Sequence, residues 1–216
     1  MNSLDPPQLE IAHILFELPA ARDFALAGDS ALLALGAIDR PTRDIDAFVA
    51  ARPGPTPGDV RPLARDLIHT LLNAGWEASL IRSHQTFTRL VASRKDTDVE
   101  IDLAVDSPPL FPTESVGGIP VLAPQDLAAR KVLAIIDRAE GRDFTDLHIL
   151  VDQFGRTDCI QWAQQLDSGV TPTAIADAFD QLGRLNDNEL PVAHPSAVRS
   201  EFTKWASELR GSPTGA

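Results

Sequence analysis

The sequence predicts an α/β (α+β) protein, with an N-terminal mixed β-sheet flanked by helices followed by a C-terminal helical bundle. Short apolar or alternating stretches are confined to the first part of the chain, and helical spacing dominates after Pro124. A Pro-rich connection, Ser107 to Pro120, separates the two patterns. The expected division is residues 1–120 as the sheet domain and 121–210 as the helical domain. Residues 211–216, which show no periodicity, are expected to form a disordered tail.

Each element has a local justification. Pro6 and Pro7 open a helix over Gln8 to Leu18, where Ile11, Ile14, Leu15 and Leu18 fall at helical spacing. Asp23 to Ala27 reads as a short buried strand ended by Gly28-Asp29-Ser30, and Ala31 to Leu35 as a helix stopped by Gly36. Asp44 to Val49 begins with polar–apolar alternation and reads as a half-buried strand. After an irregular Pro-Gly loop at 53–58, a helix is expected from Asp59 to about Ala74. Strands follow at Trp76 to Arg82 and Thr86 to Ser93. Asp98 to Val105 alternates strictly and is the clearest strand in the chain. Later helices begin near Pro124, Asp143, Asp158, Pro172 and Pro195.

Composition narrows the function classes. Hydrophobic residues at 44% and charged residues at 23% describe a globular chain with a core, not a disordered one. With 19 Lys and Arg against 31 Asp and Glu, the net charge of −12 argues against a surface that binds nucleic acid or anionic lipid all over. A local exception exists. Residues 61–95 carry six basic groups (Arg61, Arg65, Arg82, Arg89, Arg94, Lys95) against Asp66 and Glu77, and 96–130 reverse the balance. Two readings of this asymmetry stand: ordinary solvated faces, or a basic wall beside an acidic metal-binding floor. Cys159 is the only cysteine, so no internal disulfide forms. The N-terminal stretch has no basic segment and carries Asp5, Glu10 and Glu17, unlike a signal peptide. No apolar run approaches the ~20 residues of a membrane helix. A soluble, cytoplasmic protein without a membrane partner is expected.

Three stretches carry the chemistry. Asp44 and Asp46 are two apart in a strand, so their carboxylates share a face and repel unless a cation lies between them. Divalent metal is the usual answer, because Mg²⁺ takes carboxylate oxygens and bridges to phosphates. On the later strand, Asp98, Glu100 and Asp102 fall on one side and Val99, Ile101, Leu103 and Val105 on the other. Asp102 is the preferred third carboxylate, with Glu100 also fitting the pattern. Gly28-Asp29-Ser30 is a tight turn entering a helix, where free N–H groups and the Ser30 hydroxyl suit a phosphate; simple helix capping by Asp29 or Ser30 is the alternative.

In order, LAGDSALLALG, RPTRDIDAFV and VEIDLAV resemble the nucleotidyltransferase superfamily of DNA polymerase β type. The resemblance implies an acidic trio holding two Mg²⁺ (or Mn²⁺) ions and a Gly-Ser turn holding a nucleoside triphosphate. In the helical half, Lys131 lies four residues from both Leu127 and Ile135, on the inward stripe, and Arg138 points nearly the same way. Cations there call for an anion or for snorkelling stems. Asp146 is a ready partner for such a cation, whereas Asp143 reads as an N-cap.

The run LAPQDLAARKVLAIIDRAEGRDFTDLHILV, after those elements, is similar to the AbiEii/AbiGii-type nucleotidyltransferase toxins over roughly residues 20–155. That resemblance implies a toxin encoded beside a cognate antitoxin, moving a nucleotide from a triphosphate to an RNA acceptor, in some members the 3′ end of tRNA. Carried over by position, Asp44, Asp46 and Asp102 would hold metal. Lys131 and Asp146 would join them in catalysis, and Gly28, Ser30, Lys131 and Arg138 would contact nucleotide. This chain departs from the family at Asp29, where a second Gly is usual and where a carboxylate would repel a triphosphate unless turned away. Transfer to an aminoglycoside-like small molecule, and a catalytically weak nucleotide-binding or regulatory role, are the competing expectations.

Overall fold

The computed structural model describes residues 4–54 and 56–211. Helix α1 (Pro6–Glu17) is started by Asp5. The Asp5 carboxylate accepts from the Gln8 N–H at 2.8 Å, and the Gln8 amide oxygen accepts from the Asp5 N–H at 3.1 Å. Strand β1 (Phe24–Ala27) runs into α2 (Gly28–Ala34), and β2 (Asp44–Ala50) follows. Then come α3 (Arg61–Asn73), β3 (Glu77–Ser83), β4 (Phe87–Arg94) and β5 (Thr97–Asp106). The hairpin of β6 (Glu114–Val116) and β7 (Ile119–Val121) closes the first unit, Met1–Ala123.

The seven strands form one mixed sheet in the order β3-β4-β5-β2-β1-β7-β6. Strand β5 lies parallel beside β2, while β1 and β4 are antiparallel to β2 and β5 respectively. Alternation sorts the two faces. Ile45, Ala47, Leu90, Ala92, Val99, Ile101 and Leu103 are at most 1% exposed and form an apolar layer. Helices α1 and α3 pack there, burying Ile11, Leu15, Leu63, Leu67 and Leu71. The opposite face of β2 and β5 carries the acidic residues. Gln8 ties α1 to the start of β2 by donating to the Thr42 carbonyl at 3.0 Å.

The second unit, Pro124–Ala216, contains α4 (Pro124–Asp137), α5 (Gly141–Phe154), α6 (Arg156–Leu166), α7 (Pro172–Asp180) and α8 (Pro195–Gly211). Its core joins Phe144, Phe179, Phe202 and Trp205, with Phe202 edge-on to both Phe144 and Phe179 at 5.1 and 4.9 Å. None of the described helices is long and apolar enough to cross a membrane.

The structure corrects several expectations. The connection from Ser107 to Pro120 contains β6 and most of β7, joined through Gly117 and Gly118. Both glycines have positive φ, +60° and +86°, the conformation a two-residue hairpin turn requires. Three-residue strands broken by Pro120 carry too little alternation to be read. Helix α2 starts at Gly28, ahead of the expected Ala31, because the turn itself is helical. Helix α5 starts at Gly141, so Asp143 is its third residue and not its N-cap. Gly211 closes α8; the rest of the expected tail lies outside the described residues.

Candidate active site

The turn at the end of β1 is shaped by one missing side chain. Gly28 adopts φ +58°, and a Cβ placed on it would lie 1.9 Å from Asp46 Oδ2. Only glycine tolerates both the left-handed backbone and the adjacent carboxylate. Ser30, fully buried, donates from Oγ to the Ala27 carbonyl at 3.0 Å and accepts the Asp46 N–H at 3.3 Å. The hydroxyl therefore couples the turn to β2. Asp29 is 4% exposed and forms an ion pair with Arg40 Nη2 at 2.7 Å. The Asp29 charge is thus matched by a guanidinium.

The register of β2 against β5 sets the acidic face. Asp46 stands opposite Asp102, and Asp44 opposite Glu100. Directly facing residues on neighbouring strands point to the same side, so four carboxylates gather where like charges repel. The Thr42 hydroxyl donates to Asp44. On the other side of β5, Arg89 of β4 faces Asp102. Its Nε and Nη2 donate to Asp102 Oδ1 and Oδ2 at 2.8 and 2.6 Å, and its Nη1 reaches Glu100 Oε1 at 3.0 Å. These hydrogen bonds, Asp102 foremost, raise the Arg89 pKa further above its ordinary value. Among the described residues, no three His, Cys, Asp or Glu side chains already converge as a metal site. The donor set nevertheless suits a hard cation, with oxygen ligands from adjoining strands in aligned register, although Arg89 occupies Asp102 and Glu100 here.

Three of the six basic residues of the stretch 61–95, Arg61, Arg89 and Arg94, are engaged by carboxylates. Arg61 is held by Asp59, whose carboxyl it draws down to about 2 by hydrogen bonding. Arg94 forks onto Glu10 and lies 4.0 Å from the Trp76 ring centroid. Arg89 sits on the acidic face itself.

In the second unit, Lys131 is 5% exposed, with Nζ 3.0 Å from Asp143 Oδ1 and 2.7 Å from Asp146 Oδ2. Both carboxylates are buried, and Arg138 adds a fork onto Asp143 at 2.9 and 3.0 Å. Burial by itself would raise the Asp143 pKa. The Arg138 hydrogen bonds and the charges of Lys131 and Arg138 outweigh it, leaving the carboxyl below its ordinary value. Asp143 is therefore an ion-pair hub. Arg138, expected on the inward stripe, keeps its side chain 43% exposed and only its head engages Asp143. Cys159 is buried, which pushes its thiol up to about 12 and removes it as a nucleophile near neutral pH.

Sequence reasoning missed Arg40 and Thr42, and it placed Arg89 in a basic wall without finding its pairing with Asp102. Arg89 alternates with the buried Leu90 and so sits on the exposed face of β4, but its meeting with Asp102 depends on strand register, which periodicity does not encode.

The family model described as "Nucleotidyl transferase AbiEii toxin, Type IV TA system" matches residues 12–194. No curated protein matches the chain in sequence. Among solved structures, JHP933 from Helicobacter pylori is 17% identical, with a TM-score of 0.58, over 96% of this chain and 93% of that one. The antibiotic-resistance factor ANT(2'')-Ia is 13% identical, with a TM-score of 0.52, over 77% of this chain and 94% of that one. At such identities the likeness is one of fold.

Proposed function

This chain belongs to the AbiEii family of nucleotidyl transferase toxins, and from that premise we propose that it transfers a nucleoside monophosphate from a nucleoside triphosphate to an RNA acceptor, the tRNA 3′ end, releasing pyrophosphate. The observation that carries the reading is the register that sets Asp46 beside Asp102, with the Gly28 turn against Asp46.

Asp44, Asp46 and Asp102 would hold the divalent cations, Mg²⁺ or Mn²⁺. Such cations, when bound, neutralise triphosphate charge and lower the pKa of an acceptor hydroxyl. The turn at Gly28 would receive the phosphates, with the negative charge of Asp29 offset by Arg40. The Ser30 hydroxyl, offered to a phosphate by the sequence, is buried and donates to the Ala27 carbonyl, so its part is to hold the turn against β2. Asp102 takes the proton of the acceptor 3′-hydroxyl, whose oxygen attacks the α-phosphorus as pyrophosphate leaves. Lys131, Asp146 and Arg138 are assigned to catalysis and nucleotide contact by the family pattern alone. A cognate antitoxin and a cytoplasmic setting belong to the same reading.

The net charge of −12 favours a second acceptor class, a cationic small molecule of the aminoglycoside kind. Incubation with each labelled nucleoside triphosphate and either total RNA or aminoglycosides separates the two. Label is expected at RNA 3′ ends. Asp46→Ala should abolish transfer with an unchanged circular dichroism spectrum, and undiminished activity in that variant overturns the assignment.

A further inference from the structure

Arg89 is the resident cation of the acidic face. One planar fork takes both oxygens of Asp102, while the third nitrogen of the same guanidinium rests on Glu100. Asp102 is thereby satisfied in advance, directly across from Asp46. We propose that Arg89 is a displaceable placeholder that competes with a divalent cation for Asp102, with Glu100 as the acceptor that retains the guanidinium when the cation binds. The proposal rests on the reading of Asp44, Asp46 and Asp102 as the metal-holding set.

Two features of the face support this arrangement. A fixed guanidinium in contact with a ligand carboxylate repels an incoming divalent ion across a few ångströms of partly excluded water. Arg89 therefore lowers cation affinity as long as it stays on Asp102. The exposures also allocate the movement. The Asp102 side chain is 11% exposed and confined, whereas those of Arg89 and Glu100 are each 38% exposed and have solvent to turn into. Because Nη1 already contacts Glu100, the guanidinium can leave Asp102 without losing its last anionic partner. Arg89 is a positioning residue in this scheme, acting through Asp102.

The test is Mn²⁺ binding to the full chain, followed by the electron paramagnetic resonance of free Mn²⁺. Arg89→Gln is expected to bind Mn²⁺ about tenfold more tightly than the unaltered protein, because the competing charge is gone. Arg89→Lys, which retains a cation without the fork, stays close to the unaltered value and serves also if the Gln variant folds poorly. Glu100→Gln, which leaves the guanidinium only Asp102, weakens binding several-fold. Glu100→Gln costs less in the Arg89→Gln background than alone, because only the direct loss of one carboxylate charge from the face remains there. Equal or weaker binding by Arg89→Gln overturns the proposal, as does a Glu100→Gln effect that is equally large with and without Arg89. If Mn²⁺ binds and Asp46→Asn abolishes that binding, the metal-holding set stands whatever Arg89 does. If neither the unaltered protein nor Arg89→Gln takes up Mn²⁺, the metal-holding set and the placeholder fall together.

Discussion

Gly28 and Asp46 occupy almost the same space: the Cβ that Gly28 lacks would stand 1.9 Å from Asp46 Oδ2 and 2.7 Å from its Cγ. The end of β1 and the acidic strand β2 are fitted to each other through this absence. A glycine in the sequence becomes a statement about where a carboxylate lies.

Gly28→Ala should therefore separate stability from activity. The left-handed backbone at φ +58° makes the substitution cost about 1–2 kcal/mol of stability. Turning the Asp46 carboxylate aside should lower nucleotide transfer by more than about tenfold, since misplacing a reacting group has large rate effects. Thermal unfolding and initial rates on the same preparation check both expectations.

Arg40 is expected to matter for triphosphate binding. Arg40→Gln strips Asp29 of its guanidinium next to the phosphate turn, and the nucleotide Kd should rise about tenfold through the added repulsion. Asp29→Asn in the same chain should restore affinity, because the offending charge is then gone. Titration of a fluorescent nucleotide analogue into the single and double variants reads this out.

Asp143 should dominate the acid sensitivity of the helical unit. Its folded pKa lies below the ordinary 3.8, so the unfolded state binds more protons as pH falls. Its contribution is complete above about pH 5, begins to fall as pH nears the unfolded value of 3.8, and is lost as pH drops through the folded value. Asp143→Asn should flatten the fall in melting temperature between pH 5 and pH 3 relative to the unaltered protein. Asp143→Ala at neutral pH should cost about 3 kcal/mol, the low end for breaking a buried pair, because Asp146 still holds Lys131.

The Glu10–Arg94 pair should contribute little by contrast. Both side chains are over a third exposed, so solvent screens the attraction, although Arg94 holds the Glu10 carboxyl below its ordinary value by hydrogen bonding. Arg94→Gln is expected to leave the midpoint of chemical denaturation nearly unchanged. A marked drop would point to the stacking of Arg94 on Trp76 as the stronger contact.

Much of the architecture was legible because local rules suffice for it. Asp98 to Val105 alternates, and β5 spans Thr97–Asp106; Pro124, Pro172 and Pro195 each stand at the first position of a helix. The β6–β7 hairpin was hidden because three residues hold hardly more than one period of alternation. Asp143 misled for a related reason: an N-cap and a third-position carboxylate look alike until the helix start, here Gly141, is known.

Spacing along the chain was enough to place Asp44 with Asp46, and Glu100 with Asp102, on single strand faces, since side chains alternate with a period of two regardless of what surrounds the strand. Which strands become neighbours, and at which register, follows from the packing of the whole apolar layer of Ile45, Ala47, Ile101 and Leu103 on helices α1 and α3. That packing brings Asp46 level with Asp102, lays the Arg89 fork across it, and seats Arg40 on Asp29. A side chain's charge is written at its own position, but its partner comes from wherever the fold brings the chain back.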